Sequence, residues 1–560
     1  MCRAAISLSS KASFGVCSAV QAKRERKLLS KLFKDIARRC LLPTPGINLL
    51  HFLKCTTLPG LFGEQFFRAL DQDEDGQLSR AEFVEGLMSL HRGTYSEVAK
   101  IVFEVVDFNH KGFIIPEEVR VLCHYLPSAC LRCGAKVQKS WNLEDRLKAV
   151  FGPHAVLSFE DVMEGIEGQW DFFDEVLQAL LTSLPPVIED TFMLVHSCPS
   201  QSCAETSDGV LRSLRFQGRR LFFELRHQAL YCFNSIDKSH MKSLILLKGL
   251  FVEPLEATEF TLRTQRFSYS FEAESEAERD EWVSRIVEAT GYRWFDDYYE
   301  TGELLGEGAY GQVLKAKDRS SKAAAAVKII SKDNLDAKAE LRIRREIEVL
   351  KLGTHENLLE LYDVFETSAR IYIVTELVAG GTLFSWLQQQ NFCVSEEAAR
   401  CIMTDVARAV HFLHIRGVVH RDIKLENVLL SLDGKLPHAK LIDFGLAVFL
   451  GPGQFSDEPV GTLKYVCPEI ISRLQYNEKA DSWSLGVLLY ILLHGTTPFF
   501  GKTDEEVALR ILKKKLHFAS GKWEEVSLSA RLLLEKLLTR RAVARLSVRE
   551  LVQSSWMTSE

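Results

Sequence analysis

The stretch DQDEDGQLSRAE (71–82) sets Asp71, Asp73 and Asp75 at alternate positions, follows them with Gly76, Gln77 and Ser79, and closes on Glu82. A hard dication such as calcium takes six to eight oxygens, and a twelve-residue loop offers them from positions 1, 3, 5, 7, 9 and 12. Here those are the carboxylates of Asp71, Asp73 and Asp75, the Gln77 carbonyl, Ser79 through water, and a bidentate Glu82. Gly76 permits the sharp turn the loop needs. The bland alternative, an acidic surface loop, does not require every ligand type in its place. A second stretch, LGEGAYGQV (305–313), spaces Gly306, Gly308 and Gly311 ahead of Val313. Glycines let backbone amides come close to anionic groups such as phosphates, although this pattern alone is common in loops. Further on stand HRDIKLEN (420–427) and DFG (443–445), which bring Asp422, Lys424, Asn427 and Asp443 within one short span.

These residues need elements to hold them. GEQFFRAL and EFVEGLMSL flank the acidic loop with helical apolar spacing. A related loop begins at Asp107 and offers Asn109, Gly112, Ile114 and Glu118, but places Lys111 at position 5 and Ile115 at position 9. An ammonium where an oxygen belongs costs dication affinity, so weak binding or none is expected there. Its structural role is expected to survive, with Ile114 pairing with Leu78. FGPHAVLSFEDVMEGI (151–166) and PGINLLHFLK (45–54) read as further hands that have lost their ligands. Residues 25–185 thus resemble an all-α EF-hand calcium-sensor module with one sound site.

At 560 residues the chain exceeds a single core, and three or four domains are expected. A net charge of −6 gives no attraction for nucleic acid, and no apolar run approaches the roughly 20 residues that span a bilayer. Thirteen scattered cysteines suit a reduced, intracellular protein. The Cys130–Cys133 pair, with Cys123 and His124 upstream, lacks a second knuckle, so packing is favoured over zinc. Residues 1–24 are basic and acid-free and read as a disordered tail, and Cys2 in place of glycine rules out the N-myristoylation pattern. A cytoplasmic location is expected, with peripheral membrane contact left open.

From DGVLRSLRFQGRRLFFELRHQALYCF onward, short apolar alternations separated by turns indicate an antiparallel sheet, and ESEAERDEWVSRIVEAT is a helix with Trp282 on its apolar face. Residues 205–291 resemble a pleckstrin homology (PH) domain, a β-sandwich or barrel with a C-terminal helix. The family's phosphoinositide pattern finds Arg212 and Arg219 but Leu221 in the remaining basic place, which removes a bidentate phosphate contact. Arg215, Arg220 and Arg226 keep the patch positive, so two readings stay open: a weak phosphoinositide ligand, and the favoured one, protein docking.

Residues 296–557 carry, in order, the glycine-rich loop, AAVKII with Lys328, RREIEVL with Glu346, HRDIKLEN, DFG, CPE (467–469), Asp481 and Arg545. This order and spacing resemble an α+β bilobal protein kinase over the whole segment. The resemblance implies Mg2+ and ATP. Lys328 then holds the α- and β-phosphates and Glu346 holds Lys328. Asn427 and Asp443 hold magnesium. Asp422 takes or orients the substrate hydroxyl proton, and Lys424 neutralises charge on the transferring phosphate. Val313, Ala326 and Leu429 sandwich the adenine, Thr375 is the gatekeeper, and Glu376 and Val378 lie in the hinge. Leu350, Leu361, His420 and Phe444 form a regulatory spine anchored by Asp481. Lys424 with Thr462 is the serine/threonine pattern, and nothing catalytic is missing. Arg421 seeks an activation-loop anion, either phosphorylated Ser456 or Asp457 and Glu458.

Within the kinases this segment is similar to the calcium- and calmodulin-dependent group, which reads an arginine upstream of its target. Glu426 is present for that purpose, but Thr382 stands where a second glutamate belongs. Sensor, PH domain and kinase in this order resemble an unusual apicomplexan-type calcium-dependent kinase. The last kinase helix near Trp556 leaves no C-terminal calcium tail, so control is expected from the N-terminal side, with Trp294 and Phe295 packed at the joint. The expected partners are protein substrates. Two alternatives stay open: a signalling adaptor, and a constitutive kinase whose calcium region is vestigial.

Overall fold

The computed structural model describes residues 19–40, 45–56, 58–125, 147–148, 150–151, 154–164, 169–183, 212–216, 219–226, 229–236, 241–248, 250–263, 268–308, 311–333, 335–392, 394–432, 436–518 and 521–558. They divide into two bodies. One comprises Met1–Tyr298 with Ile330–Leu335 and Phe365–Ile371, and the other comprises Tyr299–Ile329, Asp336–Val364 and Tyr372–Glu560. Cys130 and Cys133 fall outside the described residues.

In the first body, Leu28, Leu29, Leu32, Phe33, Ile36 and Cys40 recur at helical spacing and are all buried. They form one face of α1 (Ala19–Cys40). The sequence reading ended a disordered tail at residue 24, whereas residues 19–24 already belong to this helix. Its early turns are tied down by charge: Glu25, almost fully buried, pairs with Arg92, and Arg26 pairs with Glu85 at 2.6 Å. Next come β1 (Ile47–Asn48), α2 (Leu49–Cys55), α3 (Gly60–Leu70), β2 (Gln77–Leu78), α4 (Arg80–Arg92), α5 (Tyr95–Val106), β3 (Phe113–Ile114), α6 (Pro116–Cys123), β4 (Leu157–Ser158), α7 (Phe159–Glu164) and α8 (Gln169–Ser183).

The register corrects one expectation. Leu78 pairs with Ile47, and Ile114 pairs with Leu157. The four short β segments therefore couple first with second and third with fourth. Each loop with acidic ligands joins a ligand-poor neighbour, because the neighbour supplies the apolar β residue. All four of these residues are fully buried.

A seven-stranded antiparallel sheet follows, in the order β8-β7-β6-β5-β11-β10-β9. Its strands are β5 (Arg212–Phe216), β6 (Arg219–Arg226), β7 (Ala229–Phe233), β8 (Met241–Leu246), β9 (Phe251–Pro254), β10 (Glu259–Arg263) and β11 (Ser268–Glu272). Alternation sends Leu214, Phe223, Phe260 and Phe271 inward, where α9 (Glu276–Thr290) covers them with Trp282 and Ile286. Gly291 ends α9 with φ +65°, a conformation that costs glycine little. At the joint, Phe295 in α10 (Phe295–Tyr298) is buried against Phe365, with ring centroids 5.7 Å apart. Trp294 differs from expectation: it is 42% exposed and meets Tyr292 edge-on.

The second sheet runs β12-β13-β14-β16-β15, with β12 (Tyr299–Gly308), β13 (Gly311–Asp318), β14 (Ala324–Ser331), β15 (Leu361–Glu366) and β16 (Arg370–Glu376). Helix α11 (Ala337–Leu350) lies between β14 and β15 in the chain and is capped by Asp336, which accepts the Ala339 N–H at 2.7 Å. A largely helical part follows. Its central helix, α15 (Lys479–His494), comes after α12 (Leu383–Gln389), α13 (Glu396–His414) and α14 (Pro468–Ile471), and is buried along almost its whole length.

Trp282 is 2% exposed at the centre of the seven-stranded sheet's core. Trp282→Ala is expected to destabilise that sheet by about 3–5 kcal/mol. Chemical unfolding should show this as an earlier transition for this part of the molecule, with Trp282→Phe recovering part of the loss.

Candidate active site

Asp481, fully buried at the start of α15, accepts the backbone N–H groups of His420 and Arg421, each at 2.8 Å, and lies 2.8 Å from His414 Nε2. Burial alone would raise its carboxyl, but the His414 hydrogen bond and the nearby imidazoles hold it below the usual range. It thereby fixes the loop in which Arg421 takes φ +69°, a strained geometry for a residue with a side chain. The next residue, Asp422, is the focus of the site. Its Oδ2 accepts from Lys424 Nζ at 2.5 Å and Asn427 Nδ2 at 3.1 Å, and its Oδ1 accepts from Thr462 Oγ1 at 2.7 Å. Lys424 Nζ also donates to Thr462 Oγ1 at 3.1 Å. Burial opposes ionisation of Asp422, yet the hydrogen bonds from Lys424 and Thr462 outweigh it and lower the carboxyl.

Lys328 on β14 and Glu346 on α11 meet at 2.6 Å. Glu346 is nearly buried, and burial raises its carboxyl against the pull of the Lys328 ammonium. Asp443 takes φ +62°, and Phe444 packs on His420 with ring centroids 5.4 Å apart. Asn427 turns its Nδ2 to Asp422, which leaves its carbonyl oxygen for another partner. A Cβ on Gly306 would meet nothing within 4 Å, and one on Gly308 only the Gly311 carbonyl at 3.7 Å, so the strand turn from β12 to β13 roofs open space. Val313, Ala326 and Leu429 are half-buried, and Thr375 is buried at the end of β16. In the hinge beyond it, Glu376 is held by Lys440 at 2.7 Å, and Val378 is half-buried. The sequence reading missed the Lys440–Glu376 and His414–Asp481 pairs, since neither spacing signals contact. It also missed Gly380, where a Cβ would stand 2.1 Å from the Leu430 carbonyl.

Three candidates were open for the anion facing Arg421, and Glu458 occupies the position. It accepts from Arg421 Nη2 at 3.0 Å and pairs with Arg342 at 3.1 Å and Lys338 at 3.0 Å, both on α11. Burial opposes its charge, but Lys338, Arg421 and Arg342 bring its carboxyl down to about 2. Ser456 Oγ stands 3.3 Å from Arg421 Nη1, and Asp457 is exposed. Thr382, in the place of the absent glutamate, caps α12 by accepting the Ser385 N–H, and Glu426 is exposed. Buried Arg545 pairs with Glu469 at 2.7 Å beside Cys467, whose thiol burial pushes up to about 12.

In the acidic loop, Asp71, Asp73 and Glu82 bring carboxylate oxygens within 4.8 Å of one another. Asp75 stands apart from that group, its Oδ1 accepting the Gln77 N–H at 2.7 Å. Asp71 Oδ2 accepts from Gly76, whereas its buried Oδ1 has no hydrogen-bond partner. Burial raises the Asp71 carboxyl, and Glu82, Asp75 and Asp73 add to the rise. An unpartnered buried oxygen among like charges is the environment a cation relieves. Gly76 takes φ +79°, and Ser79 with Glu82 also forms the capping box of α4. The second loop has the same backbone, with Gly112 at φ +80°. Its Glu118 is fully buried, accepts from Phe108, Asn109 and Ile115, and is raised by burial to about 7, so it offers less charge at neutral pH.

Glu458→Gln should leave Arg421, Arg342 and Lys338 facing a neutral amide and slow phosphotransfer about tenfold, whereas Ser456→Ala should stay within about twofold. Because the Glu458 carboxyl is depressed, its pairing is complete above the ordinary carboxylate range and is lost only as pH falls toward about 2. The Glu458→Gln deficit, measured as peptide phosphorylation, should therefore be equal at pH 6 and pH 8.

Residues 299–557 match the family model described as protein kinase domain. "Calcium-dependent protein kinase 25" of Arabidopsis thaliana is 31% identical over 339 residues, covering 60% of this chain and 59% of that protein. A "CDPK-related protein kinase" of Daucus carota is 34% identical over 268 residues, covering 47% of this chain and 44% of that protein. The chain therefore spans less than two thirds of the length of either relative. Site geometry and family match agree: residues 299–557 match the protein kinase domain model, and the chain is similar to calcium-dependent protein kinases.

Proposed function

We propose that this protein is a calcium-responsive serine/threonine kinase that moves the γ-phosphoryl group of ATP to protein hydroxyls. The observation that carries the reading is the assembly on Asp422, where Lys424, Asn427 and Thr462 converge on one carboxylate. An ionised Asp422 accepts the hydrogen of an incoming hydroxyl, and Lys424 lies beside it to meet negative charge on the group being transferred. Lys328, aligned by Glu346, takes the α- and β-phosphates, and the bare backbone at Gly306 and Gly308 leaves room for them. Asp443 and the Asn427 carbonyl are hard oxygen donors suited to magnesium, which when bound neutralises phosphate charge. Thr462 bonded to both Asp422 and Lys424 supports the serine/threonine preference.

The calcium reading rests on the loop at 71–82. The ligands are Asp71, Asp73, Glu82, the Gln77 carbonyl, Ser79 through water, and Asp75 once its hydrogen bond to Gln77 is released. The second loop, with Lys111 in a ligand position and Glu118 buried, is proposed as structural. The seven-stranded sheet with α9 and Trp282 supports the PH assignment. Its exposed Arg215 and Arg220 pair with Glu272 and Glu274, and Leu221 is buried in the core. This pairing favours docking onto protein over phosphoinositide capture. No helix among the described residues is long and apolar enough to cross a membrane.

The test is phosphorylation of an arginine-containing Ser/Thr peptide by the full chain in excess calcium and in excess chelator. Wild type should show a calcium-dependent rate. Asp443→Ala should abolish transfer in both conditions. Glu82→Gln, which keeps an oxygen for the α4 cap, should remove the calcium dependence alone. Calorimetry should find one calcium site, lost in Glu82→Gln and kept in Glu118→Gln. Transfer that survives Asp443→Ala would overturn the kinase assignment, and equal rates with and without calcium would overturn the regulatory one.

A further inference from the structure

The two edge strands of the seven-stranded sheet, β8 and β9, are consecutive in sequence, and both are engaged by other parts of the first body. At the β8 edge, the Leu246 N–H donates to Asp35 Oδ2 at 3.0 Å, and Arg39 Nη2 donates to the Leu246 carbonyl at 2.6 Å. Arg39 Nη1 adds the Lys248 carbonyl at 3.0 Å. Asp35 and Arg39 sit one turn apart on α1, pair with each other, and are nearly buried; Tyr269 also donates to Asp35. An edge strand normally leaves its outward N–H and C=O to solvent, and here a charge pair on a helix satisfies both. Lys248 Nζ then donates to the Thr56 carbonyl at 2.8 Å, at the C-terminal end of α2, where a helix favours a cation. Helix α2 follows directly on β1, the partner of the acidic loop's β2.

At the β9 edge, Val252 points into the core, so Phe251 and Glu253 share the outer face. The Lys332 ammonium lies 4.6 Å from the centre of the Phe251 ring, and Ser368 Oγ donates to Glu253. Lys332 is 3% exposed and is also held by Glu366 and by the Thr367 carbonyl at 2.8 Å, while its N–H reaches the Ala369 carbonyl at 2.8 Å. Lys332 directly follows β14, the strand of Lys328, and lies four residues before Asp336, the cap of the helix that carries Glu346.

We propose that the run from Leu246 to Glu253 links the calcium-loop module to the phosphotransfer site, with Phe251 and Glu253 as positioning residues that hold the β14–α11 connection. This deepens the calcium-responsive kinase reading and rests on it. A change of angle between α1 and α2 pulls at Leu246 and Lys248, and within the same run Phe251 and Glu253 grip Lys332 and Ser368. The run therefore carries any such change toward the residues that set α11, and α11 aligns Glu346 with Lys328.

The test uses the full chain with Mg·ATP and a Ser/Thr peptide. Phe251→Ala should lower kcat about fivefold while the peptide KM stays within about twofold, Phe251→Tyr should restore it, and thermal unfolding should be unchanged. Lys248→Ala should keep the maximal rate and bring the ratio of rates in calcium and in chelator closer to one. Wild-type kcat in Phe251→Ala, with a wild-type calcium ratio in Lys248→Ala, would overturn the link while leaving the kinase reading intact. A wild-type chain without phosphotransfer would overturn the kinase reading instead. Hydrogen exchange across 337–350 then decides the link separately: faster exchange in Phe251→Ala supports it and unchanged exchange overturns it.

Discussion

The pair between Lys328 and Glu346 is the contact on which the arrangement of the candidate site depends. Glu346 is nearly buried, and a buried carboxylate without a partner is costly, so α11 has one favourable seat: the one that brings its glutamate to the lysine. Each neighbour reinforces that seat. Glu458 ties Lys338 and Arg342 of α11 to Arg421 of the catalytic loop, so helix and loop share one anion. Asp481 holds the same loop from below through two backbone N–H groups. Asp422 is thus positioned by a chain of charge-assisted hydrogen bonds whose members are mostly buried, where such bonds are strongest.

This arrangement gives the activation loop its own fixed anion. A glutamate at 458 needs no modifying enzyme, and three cations keep it ionised through the physiological range. In the proposed calcium-responsive reading, control falls to other parts of the chain, and the most direct route to α11 is its entry from β14. That is where Lys332 lies, against the outer face of edge strand β9, while α1 clasps the other edge strand, β8, the one before it in sequence. Two charge-assisted contacts a few residues apart are a short mechanical path, and short paths lose little displacement to side-chain rearrangement.

Much of the candidate site is legible in the sequence because the proposed phosphoryl transfer demands particular residues at particular spacings, and Lys328, Glu346, Asp422, Asn427 and Asp443 stand at them. The acidic loop is legible for the same reason. What escapes is whatever depends on long-range packing. Ile47 and Ile114 are equally apolar, and only the fold decides which pairs with Leu78. Asp35 and Arg39 read as one more i, i+4 pair on a helix surface, and nothing in the residues near 246 says that this pair completes a strand edge. Residues 19–24 read as a basic tail because the anchors of the turn that follows them, Arg92 on Glu25 and Glu85 on Arg26, lie more than fifty residues away. Gly380 likewise looks like a flexible hinge residue until the Leu430 carbonyl is seen to fill the space of its missing Cβ.

The central claim is that calcium at 71–82 is felt at α11. Hydrogen exchange of the full chain in calcium and in chelator tests it most directly, with amides 71–82 reporting that the ion has bound and amides 337–350 reporting the helix. The account predicts that protection across 337–350 differs between the two conditions in wild type and is the same in both for Glu82→Gln. Calcium-dependent protection at 71–82 with none at 337–350 would contradict it, and would leave a kinase domain and a calcium loop that do not communicate.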